Sequence, residues 1–171
     1  MKGCFQMIIR EAKVSDAKEL INLIKEVEAK SDYMLMEPGE RKTTPEQQAE
    51  QLERIERQNN AAILVAEENE KLLGYLVVMG GTVKKTKHAA YIAVGILEGF
   101  RGKGIGTALF ESAEKWAIQH NISRLELTTV TENKAGIALY KKSGFEIEGT
   151  KRNSLMIHGK PFDEYYMAKL L

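Results

Sequence analysis

The stretch "GFRGKGIGTALF", residues 99–110, places three glycines at alternate positions directly before an apolar helical pattern. Glycine costs about 0.5–1 kcal/mol relative to alanine inside a helix, so Gly102, Gly104 and Gly106 need a reason at a helix start. The first amides of a helix lack intrahelical partners and lie at the positive end of its dipole. Because glycines leave those amides unobstructed, we predict that this segment binds a phosphate.

The positive charge beside these glycines supports an anion site, since Arg101 and Lys103 lie at its rim. Two common phosphate loops do not fit the spacing. A Walker loop requires Gly-Lys-Ser/Thr, whereas Lys103 is followed by Gly104. The dinucleotide pattern Gly-x-Gly-x-x-Gly would need its third glycine at Thr107 or Leu109. A glycine-rich turn without a ligand is the structural alternative.

The elements around the glycine segment follow from the apolar pattern. "HAAYIAVGIL" (88–97) predicts a strand, and Gly95 inside it indicates a bulge or a close backbone approach. The helix after the glycines is expected to run to about His120. "RLELTTV" (124–130) alternates like a strand, and "NKAGIALYKKSGF" predicts a short helix that ends at Gly144.

The first part of the chain predicts one strand and two helices. "MIIREA" (7–12) is the strand, and Ser15 is the expected N-cap of the helix that follows. The second helix has a capping-box pattern, with Thr44 as cap, Pro45 at the first helical position and Gln47 three residues after the cap.

The remaining apolar runs predict further antiparallel strands. "AAILVAE" and "KLLGYLVVM" are separated by a short polar stretch, which predicts a hairpin, and "FEIEGTK" and "DEYYMAKLL" close the chain as strands. This order predicts a mixed α/β fold with a largely antiparallel sheet and flanking helices. No repeat or linker interrupts the pattern, so we predict one domain over residues 1–171.

The composition narrows the classes of partner and location. The formal net charge is +1, which gives no field for nucleic acid or an anionic membrane. Cys4 is the single cysteine, which favours a reducing, cytoplasmic location, and we interpret it as an ordinary free thiol rather than a reactive one. No apolar run reaches the length of a membrane span, and no secretory signal opens the chain. The three histidines are widely spaced, so we expect no metal.

The segment "RGKGIG" (101–106) resembles the pyrophosphate loop R/Q-x-x-G-x-G/A of the GCN5-related N-acetyltransferases, the GNAT family. The neighbouring stretches "IAVGILEGFRGKGIGTALFESAEKWA" and "RLELTTVTENKAGIALYKKSGFEIEGTKR" and the closing "DEYYMAKLL" agree with it, so the resemblance covers about residues 7–171. It implies a twisted central sheet whose middle strands splay apart, with acetyl-CoA lying in the opening.

The resemblance also implies which residues bind acetyl-CoA. The backbone of Val94, Gly95 and Ile96 would pair with the pantetheine arm, and a backbone N–H near this point would polarise the thioester carbonyl. The amides of residues 102–107 would hold the pyrophosphate. The loop residues expected to bind it are Arg101, Gly102, Lys103, Gly104, Ile105, Gly106 and Thr107.

Asn133 and Tyr140 are seven residues apart, so both lie on one face of their helix. The resemblance places this face beside the thioester, with both residues in contact with acetyl-CoA and Tyr140 as general acid for the departing thiolate. A phenol of pKa near 10 and a thiol of pKa near 8.5 would make this proton transfer slightly uphill. The structural alternatives are a core aromatic beside Leu139 and Phe145, and a helix N-cap at Asn133.

The other binding and catalytic groups are less defined by the sequence. Lys134, Lys141 and Lys142 are interpreted as solvated, with the 3′-phosphate as an alternative contact for one of them. The general base is expected to be a carboxylate that acts through water. The candidate residues are Glu11, Glu37, Glu40, Glu98 and Glu126.

By resemblance, the segment 31–44 walls the acceptor site. Its side chains could bind an amine and also a carboxylate, and a surface loop with an apolar tuck is the alternative. The residues that suggest acceptor binding are Tyr33, Met34, Met36, Glu37, Glu40 and Arg41.

The sequence thus predicts an acetyl-CoA-dependent N-acetyltransferase. The expected partners are acetyl-CoA and a small amine or peptide amine, which attacks directly in a ternary complex without an acyl-enzyme. Polyamines, amino acids, aminoglycosides and protein N-termini all stay open as acceptors. A homodimer with the closing strand at or beside its interface is a further expectation from the resemblance. The alternatives are a non-catalytic acyl-CoA-binding sensor and a regulator that binds another nucleotide.

Overall fold

The computed structural model describes residues 6–171, so the interpretation of Cys4 lies outside the described residues. The helices are α1 (Ala17–Ala29), α2 (Pro45–Glu56), α3 (Ile105–Gln119) and α4 (Lys134–Lys142). The strands are β1 (Ile8–Glu11), β2 (Ala61–Glu68), β3 (Lys71–Gly80), β4 (Ala89–Ile96), β5 (Arg124–Val130), β6 (Glu146–Ile157) and β7 (Lys160–Leu170).

All seven strands form one sheet in the order β1-β2-β3-β4-β5-β7-β6. Each neighbouring pair is antiparallel except β4 and β5, which are parallel. The β4–β5 pairing covers only three residues of each strand, from Ala89 opposite Arg124 to Tyr91 opposite Glu126, and then stops. The mixed fold with splayed central strands and flanking helices is therefore confirmed.

The core is centred on β2 and β3. Helices α1, α2 and α3 pack on these strands, and residues 61–66 of β2 are each at most 4% exposed. A strand buried on both faces carries a continuous apolar run, which explains the sequence "AAILVA". The edge strand β6 is different, since most of its residues are exposed. The sheet is thus thickly covered at one end and open at the other.

The predicted helix ends are mostly confirmed. Thr44 caps α2 through a hydrogen bond of 3.2 Å from the Gln47 amide to its Oγ1, and the Gln47 side chain accepts from the Thr44 amide at 3.0 Å. Helix α4 ends at Gly144, whose φ is +93°. The Phe145 amide donates to the Tyr140 carbonyl at 2.9 Å, which closes a Schellman motif.

The predicted N-cap at Ser15 is wrong. Ser15 lies inside a short 3₁₀ turn, Val14–Asp16, and α1 begins after Asp16. The Asp16 carboxylate accepts from the Lys13 amide at 2.7 Å and from Arg10 Nη1 at 2.7 Å. The acid therefore organises this corner, which a serine hydroxyl with fewer acceptor sites does not.

The closing hairpin is longer than the two stretches that predicted it. Strands β6 and β7 continue until only His158 and Gly159 separate their pairing. Both residues have positive φ, +49° and +74°, as a two-residue hairpin turn requires. The His158 Nε2 atom lies 3.3 Å from Asp32 Oδ1, so the tip of this hairpin reaches the segment after α1.

Candidate active site

A cleft of about 710 Å³ opens where β4 and β5 diverge. Its walls come from α1 and the segment after it, from β4 and the glycine segment, and from β5, α4, β6 and β7. Residues 94–96 of β4 pair with β3 on one side but not with β5 on the other. This part of β4 therefore keeps a hydrogen-bonding edge toward the cleft.

The glycine segment forms one end of the cleft. Gly102 and Gly104 have φ values of +72° and +84°, and no atom of the described residues lies within 4 Å of the position where either would carry a Cβ. The first helical bond of α3 runs from the Ala108 amide to the Gly104 carbonyl at 3.0 Å. Within the described chain, the amides of residues 102–107 donate no hydrogen bond. They form an open cradle of donors at a helix start, which is the geometry of an anion site.

Close packing against neighbouring side chains requires a glycine at positions 95 and 106. A Cβ at Gly106 would lie 2.7 Å from Leu139 Cδ2 and 3.2 Å from Ile96 Cδ1. A Cβ at Gly95 would lie 2.6 Å from the ring of Tyr75. The β3–β4 register runs unbroken through the pair Tyr75 and Gly95, so no bulge is present in that pairing. Of the two interpretations of Gly95, close approach holds, and the partner is the tyrosine ring.

Tyr140 is both a core aromatic and a cleft residue. It is 9% exposed, and its ring packs edge-on against Phe110 at 5.7 Å and Phe145 at 6.5 Å between centroids. Burial raises the pKa of the Tyr140 phenol to about 12, with Tyr91 adding to the rise and a hydrogen bond with Thr129 opposing it. The phenol therefore holds its proton at neutral pH and is a weaker acid than a phenol of ordinary pKa.

Asn133 caps α4 at the border of the cleft. Its Oδ1 accepts from the Gly136 amide at 3.0 Å, and its Nδ2 donates to Thr129 Oγ1 at 3.3 Å. Gly136 leaves room for this arrangement, because a Cβ there would collide with the Asn133 amide group. The N-cap alternative is thus confirmed, and it coexists with a position on the cleft wall.

Most of the residues predicted to bind acetyl-CoA line this cleft. They are Val94, Gly95, Ile96, Arg101, Gly102, Gly104, Gly106, Thr107, Asn133 and Tyr140. Lys103 and Ile105 do not line it. The Lys103 Nζ lies 5.0 Å from the centroid of the Phe100 ring, and Ile105 is 3% exposed and packs in the core. Their amides still belong to the open cradle.

Among the cations of the described chain, Arg101 and Lys142 line the cleft. Arg101 Nε donates to the Ile96 carbonyl at 3.2 Å, which holds its side chain beside the end of β4. Lys134 donates to the Thr131 carbonyl at 3.1 Å, and neither Lys134 nor Lys141 reaches the cleft. Lys142 is therefore the lysine placed to meet an anion.

The segment 31–44 contributes to the opposite wall, as expected, but with different residues. Tyr33 and Met34 line the cleft, and so do Ser31 and Leu35, which the sequence did not single out. Leu35 is 81% exposed, so a large apolar side chain lies at the mouth of the cleft.

Arg41 is already paired and does not face the cleft. Its Nε and Nη2 donate to Glu28 Oε1 at 2.8 and 2.6 Å, and Glu28 is 3% exposed. The pair fastens the segment to α1 and leaves Arg41, one of the residues expected to suggest acceptor binding, outside the cleft lining. The other predicted acceptor residues outside the lining are Met36, Glu37 and Glu40.

Comparison with known proteins gives the family. Residues 26–145 match the Acetyltransferase (GNAT) family. The chain belongs to the GNAT family. A crystal structure of a GNAT-family acetyltransferase from Streptococcus pneumoniae superposes with a TM-score of 0.93 at 30% identity, over 97% of this chain and 99% of that one.

Two further proteins are similar to this chain over different lengths. The L-amino acid N-acetyltransferase AaaT of Escherichia coli K12 is 30% identical over 103 residues, which are 58% of this chain and 62% of AaaT. The chain thus spans less than two thirds of that curated relative. Salmonella typhimurium yncA, solved with its cofactor acetyl-CoA, shares the fold at 19% identity, with a TM-score of 0.86 over 96% of this chain and 94% of yncA.

None of the five carboxylates predicted as general base lines the GNAT cleft. Glu126 pairs with Arg124 at 3.0 Å and borders a second cavity of about 320 Å³. Glu40 accepts from the Glu37 amide at 2.9 Å in an exposed turn. Glu11 and Glu98 are exposed at the ends of other elements.

The carboxylate that lines the cleft is Glu164, which the sequence analysis missed. It is 7% exposed, and its Oε2 accepts from Ser154 Oγ at 2.7 Å and from Lys151 Nζ at 3.3 Å. The only signal in the sequence is an acid inside the strand "DEYYMAKLL". That signal does not tell which cavity the strand borders, because its partner β5 and the segment after α1, which form the cleft with it, are distant along the chain.

Within residues 6–171, no group of three or more His, Cys, Asp or Glu side chains could hold a metal ion. No helix in the same range has the length and apolar character needed to cross a membrane.

Proposed function

We propose that this chain is an acetyl-CoA-dependent N-acetyltransferase that transfers an acetyl group to a primary amine by direct attack in a ternary complex. The observation that carries the proposal is the cradle of unbonded amides at residues 102–107, which opens into the cleft between β4 and β5. Membership of the GNAT family supports the same reaction. So do the names of two relatives, an L-amino acid N-acetyltransferase and a protein with acetyl-CoA as cofactor.

The residues of the cleft fit acetyl-CoA. The cradle amides would hold the pyrophosphate, and each charge-assisted hydrogen bond of this kind contributes about 1.5–3 kcal/mol. The edge of residues 94–96 left without a β5 partner would pair with the amides of the pantetheine arm. Arg101 and Lys142 supply positive charge along the same wall, and Lys142 is the residue proposed for the 3′-phosphate.

Tyr140 is proposed as the general acid. The amine nitrogen forms a bond to the carbonyl carbon while the carbon–sulfur bond breaks, and the phenol donates its proton to the departing sulfur. The nitrogen gives up two protons overall, of which one restores the phenol and one leaves to solvent. Because burial raises the pKa of Tyr140 to about 12, the phenol keeps the proton to be donated at neutral pH.

The test is the affinity for acetyl-CoA of Gly104→Asp, which puts a carboxylate among the cradle amides. The matched control is Gly39→Asp, because Gly39 has a φ of +77° and also has nothing within 4 Å of its Cβ position. Both variants place an aspartate at a positive φ and add the same charge. Calorimetry should show a loss of about 100-fold or more for Gly104→Asp and no loss for Gly39→Asp. Equal affinities, with native circular dichroism spectra, would remove the proposal.

A thiol-release assay separates the enzyme from the non-catalytic sensor. A sensor binds acetyl-CoA but releases no thiol with polyamines, amino acids, aminoglycosides or peptide N-termini. Competition by ATP and NAD tests the third alternative, a regulator that binds another nucleotide. A single domain over residues 1–171, a homodimer and a cytoplasmic location stay predictions from the sequence.

A further inference from the structure

The position of Glu164 follows from the register of the open end of the sheet. Glu164 pairs with Val130 and Tyr166 pairs with Thr128, so the four side chains lie on one face of the sheet. Tyr91 lies on the same face, since its hydroxyl is 2.9 Å from Thr128 Oγ1. Glu164 thus stands on the face where Tyr91 also lines the cleft.

An irregularity in β6 supports one oxygen of this carboxylate. The β6–β7 register shifts between Lys151 and Leu155, and Asn153 has a φ of +50°. The Asn153 amide donates to Asp163 Oδ1 at 2.7 Å, which fixes the displaced residues. This geometry brings Ser154 Oγ to within 2.7 Å of Glu164 Oε2.

The second oxygen of Glu164 is left for a ligand. Both described hydrogen bonds end on Oε2, and Oε1 accepts none within residues 6–171. Within residues 6–171, the fully buried side-chain polar atom that lacks a hydrogen-bond partner is the Ser143 hydroxyl. Glu164 Oε1 does not belong to that class. Oε1 therefore has accessible surface, and its residue lines the cleft.

The charged side chains that line the cleft favour a ligand with one positive group beside Glu164. Glu164 is the one carboxylate among the described lining residues, and the lining cations are Arg101 of the glycine segment and Lys142 of α4. The cleft-lining side chains of the segment after α1 and of β6 are mostly apolar. They include Tyr33, Met34, Leu35 and Leu155.

No spare cation accompanies Glu164 in the described part of the cleft. Lys151 is bound to Glu164 itself and lies 5.6 Å from the centroid of the Tyr166 ring. Arg41, a cation of the segment 31–44, is paired with buried Glu28. An anion bound beside the ammonium would therefore lose its water without gaining a cationic partner.

We propose that Glu164 Oε1 binds the ammonium of the acceptor and takes its first proton, and that the acceptor is an apolar primary amine without a carboxylate beside the amine. The inference rests on the proposed function and names the substrate class of the same site. It distinguishes this chain from AaaT, whose name specifies L-amino acids. The proton passes from nitrogen to the carboxylate, which leaves the nitrogen lone pair for attack, and then moves to solvent.

The first test compares two probes that differ in the carboxylate alone, L-methioninamide and L-methionine. Thiol release is measured with saturating acetyl-CoA, and kcat/KM is expressed per concentration of unprotonated amine, because the two amines differ in pKa. The amide should be preferred about tenfold or more. Equal use of the two probes, or a preference for methionine, would overturn the proposed substrate class.

The second test is Glu164→Gln, with Glu126→Gln as the matched control. The KM for methioninamide should rise about 10- to 100-fold in Glu164→Gln, since a charge-assisted hydrogen bond is lost. Its affinity for acetyl-CoA should not change, and Glu126→Gln should behave as the wild type. Glu164→Asp, which keeps the charge, should recover part of the loss. An unchanged KM in a folded Glu164→Gln protein would overturn the role of Glu164.

The outcomes also separate this inference from the proposed function. If the wild type acetylates other amines but neither probe, the substrate class fails and the enzyme stands. If it releases no thiol with any amine, the proposed function fails and this inference fails with it.

Discussion

The cleft has two halves that are built in different ways. The loop half consists of residues 94–107 and 133–142, two continuous stretches that supply the glycine segment, the end of β4 and helix α4. The far half consists of residues 31–35, which follow α1, and of Leu155 and Glu164, which lie far along the chain from them in the β6–β7 hairpin. A site made from continuous stretches can be predicted from local rules. A site assembled by the sheet depends on the register between strands, which local rules do not predict.

The physical reasons behind the loop half are local. A positive φ requires glycine at Gly102 and Gly104, and an N-cap asparagine requires a small residue at Gly136. In the far half, the position of Glu164 depends on its pairing with Val130, and its support depends on the displaced residues before Leu155 in β6.

The largest expected effect is the fall in kcat when Tyr140 of the loop half is changed in Tyr140→Phe. If the phenol protonates the departing sulfur, kcat should fall about 100- to 1000-fold under conditions where chemistry limits the rate. The affinity for acetyl-CoA should stay within about twofold, since the ring and its packing remain. Full turnover in the variant would remove Tyr140 from the reaction and leave it as a core aromatic.

The alkaline stability of the same variant checks the environment of the phenol. The pKa of Tyr140 is raised from 10.0 to about 12 on folding, so its contribution to stability is complete below pH 10 and is lost as the pH rises toward 12. The wild type should lose about 1 kcal/mol more than Tyr140→Phe between neutral pH and pH 11. Urea unfolding at both pH values measures this difference. Parallel losses would mean that the phenol is solvated.

The fold was mostly predicted where a local rule applied, with the N-cap at Ser15 as an exception. The capping box at Thr44, the β2–β3 hairpin and the end of α4 at Gly144 each depend on residues within a few positions. The N-cap at Ser15 failed because Arg10 and Lys13 recruit Asp16 instead. The turn at His158 was missed because His-Gly is not one of the dipeptides, such as Asn-Gly or Asp-Gly, that mark a two-residue hairpin.

An effect smaller than the loss of kcat in Tyr140→Phe is expected from Arg41→Ala, which acts on the segment that carries residues 31–35 of the far half. The change leaves Glu28, which is 3% exposed, without its cationic partner. We expect the free energy of unfolding to fall by about 2–3 kcal/mol, because a buried carboxylate loses its partner. The KM for methioninamide should also rise, since the segment that carries Tyr33 and Met34 is no longer fastened to α1. Urea denaturation and thiol-release kinetics measure the two effects.

The neighbouring residue provides the control for this prediction. Lys42 contacts the Gly39 carbonyl at 2.9 Å in an exposed turn, so Lys42→Ala should change stability by less than about 0.5 kcal/mol. Adding Glu28→Gln to Arg41→Ala should recover part of the loss. If Arg41→Ala is as stable as Lys42→Ala, the segment is not held by this pair.

The candidate site shows the same division as the fold. Most residues expected to bind acetyl-CoA line the cleft, because the loop, the strand before it and the helix after β5 each place their own residues. The expected bases did not reach it, and Leu35 and Glu164 did. Nothing local distinguishes Glu164 from Glu126, since both are acids within strands. Glu126 lies where β5 still pairs with β4, whereas Glu164 lies opposite Val130, beyond the end of that pairing.

The smallest expected effect is the stability change in Gly106→Ala. Its sign tests why the loop half has a glycine at this position. Helix propensity alone predicts that Gly106→Ala stabilises the protein by up to about 1 kcal/mol. The added Cβ would lie 2.7 Å from Leu139 Cδ2, however, and overpacking of this kind costs about 1–3 kcal/mol. We therefore expect a net loss of about 1 kcal/mol in thermal or urea unfolding. Leu139→Ala should abolish that loss, because it removes the colliding methyl group. If Gly106→Ala is stabilising in the wild-type background, the packing account of this glycine is wrong, and ligand approach becomes its explanation.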